Sequence, residues 1–247
     1  MTEKYLKLSE FAKTFNYGPI LTELKEEFGW LYDKEEMDDI GLKLQISIKK
    51  SKPMYLHGYV LTSCLYDYLR KIDSNVEEIC ILETGTARGF SSICMAKMLD
   101  LFNRKGTIHT IDMCNTFDNC LKAAELNRKI TINESVEEWK DIVDKYINFI
   151  KGNSSGELVK LNNKLERIHF AFLDGAHTYD KLQEELLYVE KKQISGDIIV
   201  CDDYTKKQFP QLCKAMDDFL KKNTYSHKIF YGNDGTKKRG YVCMKKI

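Results

Sequence analysis

Ile79-Cys80-Ile81-Leu82-Glu83-Thr84-Gly85-Thr86-Ala87-Arg88-Gly89-Phe90-Ser91-Ser92 reads as a buried strand, a glycine turn and the start of a helix. Four consecutive apolar residues suit a parallel strand covered on both faces. Gly85 and Gly89 supply backbone angles that a side chain disfavours and let a ligand come close to the main chain. Ser91 and Ser92 stand where the first N–H groups of a helix need acceptors. Glu83 lies at the carboxyl end of the strand, the edge at which open α/β sheets bind ligands. The spacing is E-x-G-x-x-x-G, and Ala87 and Phe90 break the G-x-G-x-x-G dinucleotide fingerprint. Taken alone, the stretch fits both a ligand loop and a purely structural turn.

The chain on either side alternates between strand and helix patterns. Further strands are predicted at Thr107–Asp112, Ile147–Ile150, Ile168–Asp174, Asp197–Asp202, His227–Tyr231 and Gly240–Met244, the last two flanking Gly232-Asn233-Asp234-Gly235. Helical spacing covers 93–101, 182–189 and 212–220. This order predicts an α/β, doubly wound, Rossmann-like sheet of seven strands, mostly parallel with an antiparallel last strand. Residues 1–75 are expected to form an N-terminal helical extension acting as a cap or lid, and 76–247 the main domain. In the extension, Ile20, Leu21, Leu24, Phe28 and Leu31 recur at helical spacing, and Pro53 opens another helix. Between the second and third strands, 114–146 is longer than an ordinary connection. There Ser135-x-x-Glu138 predicts a capping box opening a helix through Tyr146.

Composition narrows the function. The 247 residues carry 38 Lys+Arg and 37 Asp+Glu, net +1, which gives no reason to expect a nucleic-acid partner. The lysines read as scattered over a solvated surface. None of the eight cysteines forms a C-x-x-C pair, so zinc spacing is absent. Cys80, Cys201 and Cys243 fall inside strands as small apolar residues. A reduced, cytoplasmic protein is the simplest expectation. The start of the chain lacks an apolar signal core, and no apolar run reaches membrane-spanning length.

Acidic residues gather at predicted strand ends. Asp112 follows the glycine turn by about twenty residues, the distance that returns a carboxylate to ribose hydroxyls beside the same turn. Asn153 and Ser154 follow the third strand, where an amide can both donate to and accept from a purine edge. Asp174 closes the fourth strand and Asp202-Asp203 the fifth, so three carboxylates reach one edge of a parallel sheet. Unpaired, they would repel; a hard divalent cation such as Mg²⁺, Mn²⁺ or Ca²⁺ resolves this. His177 stands one short turn from Asp174, and an imidazole there can accept a proton at neutral pH. Singly, Asp174 and Asp202 also suit helix caps and His177 a surface position. Their joint arrival at one edge favours a site.

Glu83-x-Gly85-x-x-x-Gly89, Asp112, Phe172-Leu173-Asp174-Gly175-Ala176-His177-Thr178-Tyr179 and Cys201-Asp202-Asp203-Tyr204 together resemble class I S-adenosylmethionine-dependent O-methyltransferases. Within that class they resemble most the metal-dependent macrocin/mycinamicin-type sugar O-methyltransferases. The resemblance spans about residues 77–204. It implies that Glu83, Gly85, Thr86, Gly89 and Ser91 hold the methionine part of S-adenosylmethionine, that Asp112 binds its ribose, and that Asn153 and Ser154 border its adenine. Asp174 would belong to the cofactor site and, with Asp202 and Asp203, hold Mg²⁺, with His177 as general base. The implied acceptor is a hydroxyl of a small molecule or glycan, a sugar or glycosylated compound. Ala87 departs from the middle glycine common in such loops, and the Asp-Asp pair with a histidine base points away from catechol-type relatives. An NAD-linked oxidoreductase and a non-catalytic nucleoside-binding module stay open from the residues alone. The first lacks its third glycine and leaves three carboxylates unexplained. The N-terminal helices also offer a surface on which two copies could pair as a homo-oligomer.

Overall fold

The computed structural model describes residues 3–44, 55–114, 116–123, 126–175, 177–233 and 237–247. Pro53, Ala176, Asp234 and Gly235, each part of a reading above, lie outside the described residues. In chain order the helices α1 (Glu3–Thr14), α2 (Pro19–Phe28), α3 (Lys34–Leu44) and α4 (Leu56–Lys71) precede β1 (Ile79–Thr84), α5 (Phe90–Leu101) and β2 (Gly106–Asp112). Then come a hairpin of β3 (Leu121–Ala123) and β4 (Arg128–Ile130), the helices α6 (Ile132–Val136) and α7 (Lys140–Tyr146), and β5 (Ile147–Lys151). The remainder is α8 (Ser154–Leu161), β6 (Phe170–Leu173), α9 (Tyr179–Glu190), β7 (Ile198–Cys201), α10 (Pro210–Lys222), β8 (Tyr225–Asn233) and β9 (Lys238–Lys246).

Seven strands form one sheet in the order β5-β2-β1-β6-β7-β9-β8. β5, β2, β1, β6 and β7 are parallel, and β9 runs antiparallel to both β7 and β8. The expected fold class is therefore the observed one. From β1 the chain winds outward to β2 and β5, then crosses to β6 and β7 on the other side of β1. The order reverses at β1, which opens a crevice at the carboxyl edge between β1 and β6.

Both faces are covered because successive side chains of a strand point to opposite sides. Ile81, Phe170, Phe172 and Val200 enter one cluster with α2, α4 and α5, whereas Leu82, Ala171, Leu173 and Ile199 enter a second with α8, α9 and α10. Ile20 and Leu24 of α2 and Met37, Ile40 and Leu44 of α3 belong to the first cluster, so the N-terminal helices share its core with the sheet. Burial of each such Leu or Ile side chain contributes about 1.5–3 kcal/mol.

The insertion between β2 and β5 departs from expectation in three ways. Its hairpin strands are three residues each, too short to carry a visible alternation. The cap is Thr131, whose Oγ1 accepts from the Glu134 N–H at 3.0 Å, not Ser135. Ser135 lies inside α6 and donates instead to the Arg88 carbonyl at 2.9 Å, tying the insertion to the back of the glycine loop. Cys114 and Cys120 are joined in a disulfide across Cα atoms 6.1 Å apart, correcting the expectation that every cysteine is free. Their Cα separation is within bridging range although the two residues are 6 apart in sequence.

Candidate active site

Sheet register lines up the site. Thr84 pairs with Ile111 on one side and Leu173 on the other, and Leu173 pairs with Cys201. The next residue on each strand therefore emerges at the same edge, which sets Gly85, Asp112, Asp174 and Asp202 in a row. Gly85 N–H donates to the Ile111 carbonyl at 2.9 Å, and Asp174 N–H to Thr84 O at 3.0 Å, so the row is fixed by backbone.

The glycine at the row's centre is demanded twice over. Gly85 has φ +92°, and a Cβ there would stand 2.5 Å from the Asp174 carbonyl oxygen. Gly89, also at positive φ, begins α5. Between them Ala87 takes φ +46°, a left-handed conformation at the position where the resemblance would place a glycine. Thr86 is buried, with its hydroxyl 2.5 Å from that of Thr110. Glu83 is fully buried, and its two carboxylate oxygens accept from the Ser91 and Ser92 hydroxyls. Burial pushes its carboxyl above the ordinary range, against the Ser91, Ser92 and Thr110 hydroxyls that hold the ionised form. Glu83 and Ser91 thus brace the loop from beneath. Behind the loop, Arg88 donates to the Lys43 carbonyl at 2.9 Å and so clasps it to α3.

Asp112 lies directly above the turn. Its Oδ2 accepts from the Ala87 N–H and its Oδ1 from the Cys114 N–H, both at 2.9 Å. Each carboxylate oxygen has a second acceptor site, so a partly exposed Asp112 retains capacity for ribose hydroxyls. Gly152 N–H donates to Asp112 O at 2.8 Å and brings the turn after β5 alongside. There Asn153 caps α8, its Oδ1 accepting from the Ser155 N–H at 3.1 Å, with Ser154 as the first helical residue.

The acidic cluster forms on the other side of Gly85. Asp174, His177 and Asp203 each offer a ligand atom, and these atoms lie within 4.8 Å of one another. Asp202 is not in this set. It lines the same small cavity of about 10 Å³, roughly the space of one water or ion, but its Oδ1 accepts from the Asp203 N–H at 2.5 Å. Asp203 is buried and has φ +63°, so the chain turns sharply as it leaves β7 and swings that carboxylate to His177. Asp203 Oδ2 stands 3.4 Å from His177 Nδ1, and Oδ1 accepts from Arg239 Nη1 at 3.0 Å. The exposed His177 ring stacks on Phe209, centroids 5.5 Å apart.

Two members of this site were not read from sequence. Arg239, on β9, reaches Asp203 only because β9 pairs with β7. Glu185 of α9 is fully buried; its Oε2 accepts from Thr84 Oγ1 at 3.1 Å, and its Oε1 has no hydrogen-bond partner among the described residues. It lines the same cavity as Asp174 and Asp203, and burial holds its carboxyl above the usual range. Its place in an ordinary amphipathic helix gave no signal.

A sheet of this order, with a glycine loop after β1 and an acid closing β2, defines the class I S-adenosylmethionine-dependent methyltransferase fold. Residues 82–204, from the middle of β1 to just past β7, match the family described as a methyltransferase domain. No curated protein matches the chain by sequence. Among solved structures, an O-methyltransferase from Bacillus cereus in complex with SAH superimposes with a TM-score of 0.61 at 12% identity, covering 100% of both chains. The O-methyltransferase TomG from Streptomyces achromogenes, involved in tomaymycin synthesis and solved with SAM, gives 0.57 at 15% identity over 93% of this chain and 96% of its own. The calicheamicin methyltransferase CalS11 gives 0.53 at 12% identity over 97% and 91%. At these identities the likeness is one of fold. No helix among the described residues is long and apolar enough to cross a membrane.

Proposed function

We propose that this protein is a metal-dependent O-methyltransferase that moves a methyl group from S-adenosylmethionine to a hydroxyl of a sugar or glycosylated small molecule. The observation that carries this reading is the convergence of Asp174, His177 and Asp203 within 4.8 Å, at the sheet edge beside Gly85. Carboxylate oxygens around a space of one ion fit a hard divalent cation such as Mg²⁺, and the imidazole beside them fits a proton acceptor. The bare Gly85 backbone and the spare acceptor sites of Asp112 fit the amino-acid and ribose parts of S-adenosylmethionine.

In this reading Gly85, Thr86 and Gly89 would lie against the methionine part, with Glu83 and Ser91 holding the loop in place. Asp112 would take the ribose, Asn153 and Ser154 the adenine edge, and Asp174 and Asp203 the cation, while Asp202, expected from sequence as a third ligand, instead holds the Asp203 backbone through its Oδ1. S-adenosylmethionine supplies an electrophilic methyl group, and a hard cation supplies Lewis acidity at an acceptor hydroxyl. His177 takes the hydroxyl proton at Nε2. Asp203 Oδ2 faces the opposite ring nitrogen at 3.4 Å, which favours the tautomer that leaves Nε2 free to accept. Arg239 keeps Asp203 in place, and Phe209 restrains the ring. Rigid placement of these groups supplies much of the rate, because well-oriented reactants reach very high effective molarities.

The test is calorimetric titration of S-adenosylmethionine, then of Mg²⁺, into protein treated with EDTA. Both are expected to bind, with the Mg²⁺ heat lost in Asp174→Asn and the S-adenosylmethionine heat retained. Full methyl transfer to a hydroxylated acceptor in metal-free buffer would overturn the metal role. Failure of folded protein to bind S-adenosylmethionine would overturn the whole reading.

A further inference from the structure

The segment that follows Asp112 carries the one disulfide among the described residues, and it touches the glycine loop's supports on two sides. The Cys114 N–H donates to Asp112 Oδ1 at 2.9 Å, while the other oxygen of that carboxylate accepts from the Ala87 N–H at 2.9 Å. Further along, the Thr116 carbonyl accepts from the Asn133 N–H of α6 at 3.2 Å. Helix α6 in turn reaches the Arg88 carbonyl through Ser135. Cys120 leads directly into β3 and is joined to Cys114. The cross-link therefore ties the end of β2 to the start of the hairpin, beside the carboxylate that faces the glycine turn.

Packing does little to hold this segment. Met113 and Phe117 are 68% and 76% exposed, so its large apolar side chains bury almost nothing. Asp118 pairs with Lys151 at 3.0 Å, but both side chains are about half exposed, and such surface pairs stabilise weakly. A covalent link across so few residues is then the main restraint on their freedom. Chemistry also sets this pair apart from the other cysteines. Cys114 and Cys120 are half-buried, whereas Cys64, Cys94, Cys201, Cys213 and Cys243 are buried. Burial pushes the half-buried Cys80 thiol up to about 12 and raises those of Cys94 and Cys201 as well, which suppresses the reactive thiolate.

We propose that the Cys114–Cys120 disulfide is a redox switch on cofactor binding, tight when the bond is closed and weaker when it is opened. This rests on the reading of Asp112 as the ribose ligand. Closed, the bond fixes the Cys114 backbone, so the Asp112 carboxylate keeps an amide donor on each oxygen and is held ready for the ribose hydroxyls. Opened, the segment keeps only its exposed ion pair and a few backbone contacts. S-adenosylmethionine must then order it on binding, which costs affinity. The opening step is thiol–disulfide exchange with a dithiol, either a protein of the thioredoxin class or dithiothreitol. The S–S bond of the chain breaks, two electrons and two protons pass to Cys114 and Cys120, and the dithiol leaves as its own disulfide.

The test is titration of S-adenosylmethionine into the full chain, once after oxidation with glutathione disulfide and once in dithiothreitol. Alkylation and peptide mass mapping verify the state of Cys114 and Cys120 in each sample. The oxidised chain should bind at least fivefold more tightly than the reduced one. Cys120→Ser should bind like reduced wild type and should not respond to reductant. That variant also separates the effect from Cys64 and Cys243, whose sulfurs stand 2.7 Å apart: a response that persists in Cys120→Ser overturns the proposal. So does equal affinity in the two verified states, tighter binding on reduction, or a Cys114–Cys120 pair that stays unlinked under the oxidant. Amide hydrogen exchange over residues 112–122, read without cofactor, should quicken on reduction, and unchanged exchange overturns the proposal as well. Failure of both states to bind S-adenosylmethionine would instead sink the methyltransferase reading, an outcome distinct from equal binding.

Discussion

Acidification should loosen the sheet at His169, and the size of the effect follows from its surroundings. His169 precedes β6 and is 5% exposed. Its Nδ1 accepts from the Cys80 N–H at 3.0 Å, and its own N–H donates to Cys80 O at 2.9 Å, so it stitches β6 to β1 at the amino end. Burial, aided by the Arg167 guanidinium and opposed by Asp197, lowers its pKa from 6.5 to about 4. A protonated ring could no longer accept the Cys80 N–H. The folded state therefore binds the proton less readily than the unfolded one, and stability is lost as pH falls from the unfolded pKa towards the folded one. The whole interval from 6.5 to about 4 corresponds to about 3.4 kcal/mol. Between pH 7.5 and 5 the share is about 2 kcal/mol, or about 1 kcal/mol after allowing for solvent screening around an incompletely enclosed ring.

The assay is urea unfolding of wild type and His169→Asn at both pH values. Asparagine keeps an acceptor for the Cys80 N–H but cannot be protonated. It also leaves a gap costing about 1–2 kcal/mol at every pH, which cancels when only the pH dependence is compared. Wild type should lose about 1 kcal/mol more than the variant on acidification. Identical pH dependence in the two proteins, or an imidazole titration midpoint at or above 6.5 by nuclear magnetic resonance, would refute the reasoning.

Gly85→Ala should destabilise by about 1–2 kcal/mol from its left-handed backbone alone, and by more from the contact with Asp174 O; a thermal scan showing no loss would contradict the assigned geometry. Arg239→Ala should lower methyl transfer at least tenfold while leaving S-adenosylmethionine affinity intact, because Arg239 positions Asp203 rather than touching the cofactor; unchanged turnover would remove that role. Glu185→Gln tests a buried acid. A raised folded pKa means the wild type loses stability as pH rises and the carboxyl ionises, so the variant should gain relative to wild type between pH 4.5 and 7.5. A stability difference that stays constant over that range would show that Glu185 does not ionise at a cost.

Much of the fold is legible because buried parallel strands write themselves as apolar runs. Phe170–Leu173 and Ile198–Cys201 each run into an acid at the sheet edge, so Asp174 and Asp202 were visible with them, whereas Glu83, after Ile79–Leu82, lies within β1 and is fully buried. What stayed hidden depends on partners far away in sequence. Thr131-x-x-Glu134 and Ser135-x-x-Glu138 are the same capping pattern four residues apart, and Ser135 spends its hydroxyl on the Ile132 and Arg88 carbonyls rather than on a cap. Asp203 and Arg239 are 36 residues apart along the chain and are brought together by the β7–β9 pairing. Asp202 and Asp203 are adjacent acids of equal promise, and the sequence does not say which one the chain turns towards His177.

That turn explains why the second acid joins the cluster. A strand continued past Cys201 would send Asp202 and Asp203 to opposite faces. Instead Asp203 adopts φ +63°, where glycine would be more comfortable and an aspartate costs about 1 kcal/mol. Three contacts hold it there: its N–H on Asp202 Oδ1, its carboxylate on Arg239, and the next residue's N–H on Gly240 O. Asp202 thus acts through the backbone of its neighbour, while the carboxylate of Asp203 is aimed at His177. A glycine would relieve the backbone but lose the oxygen that orients the imidazole. The strain is thus located at the residue that joins the strand end, the histidine and Arg239, where a displaced carboxylate would disturb all three.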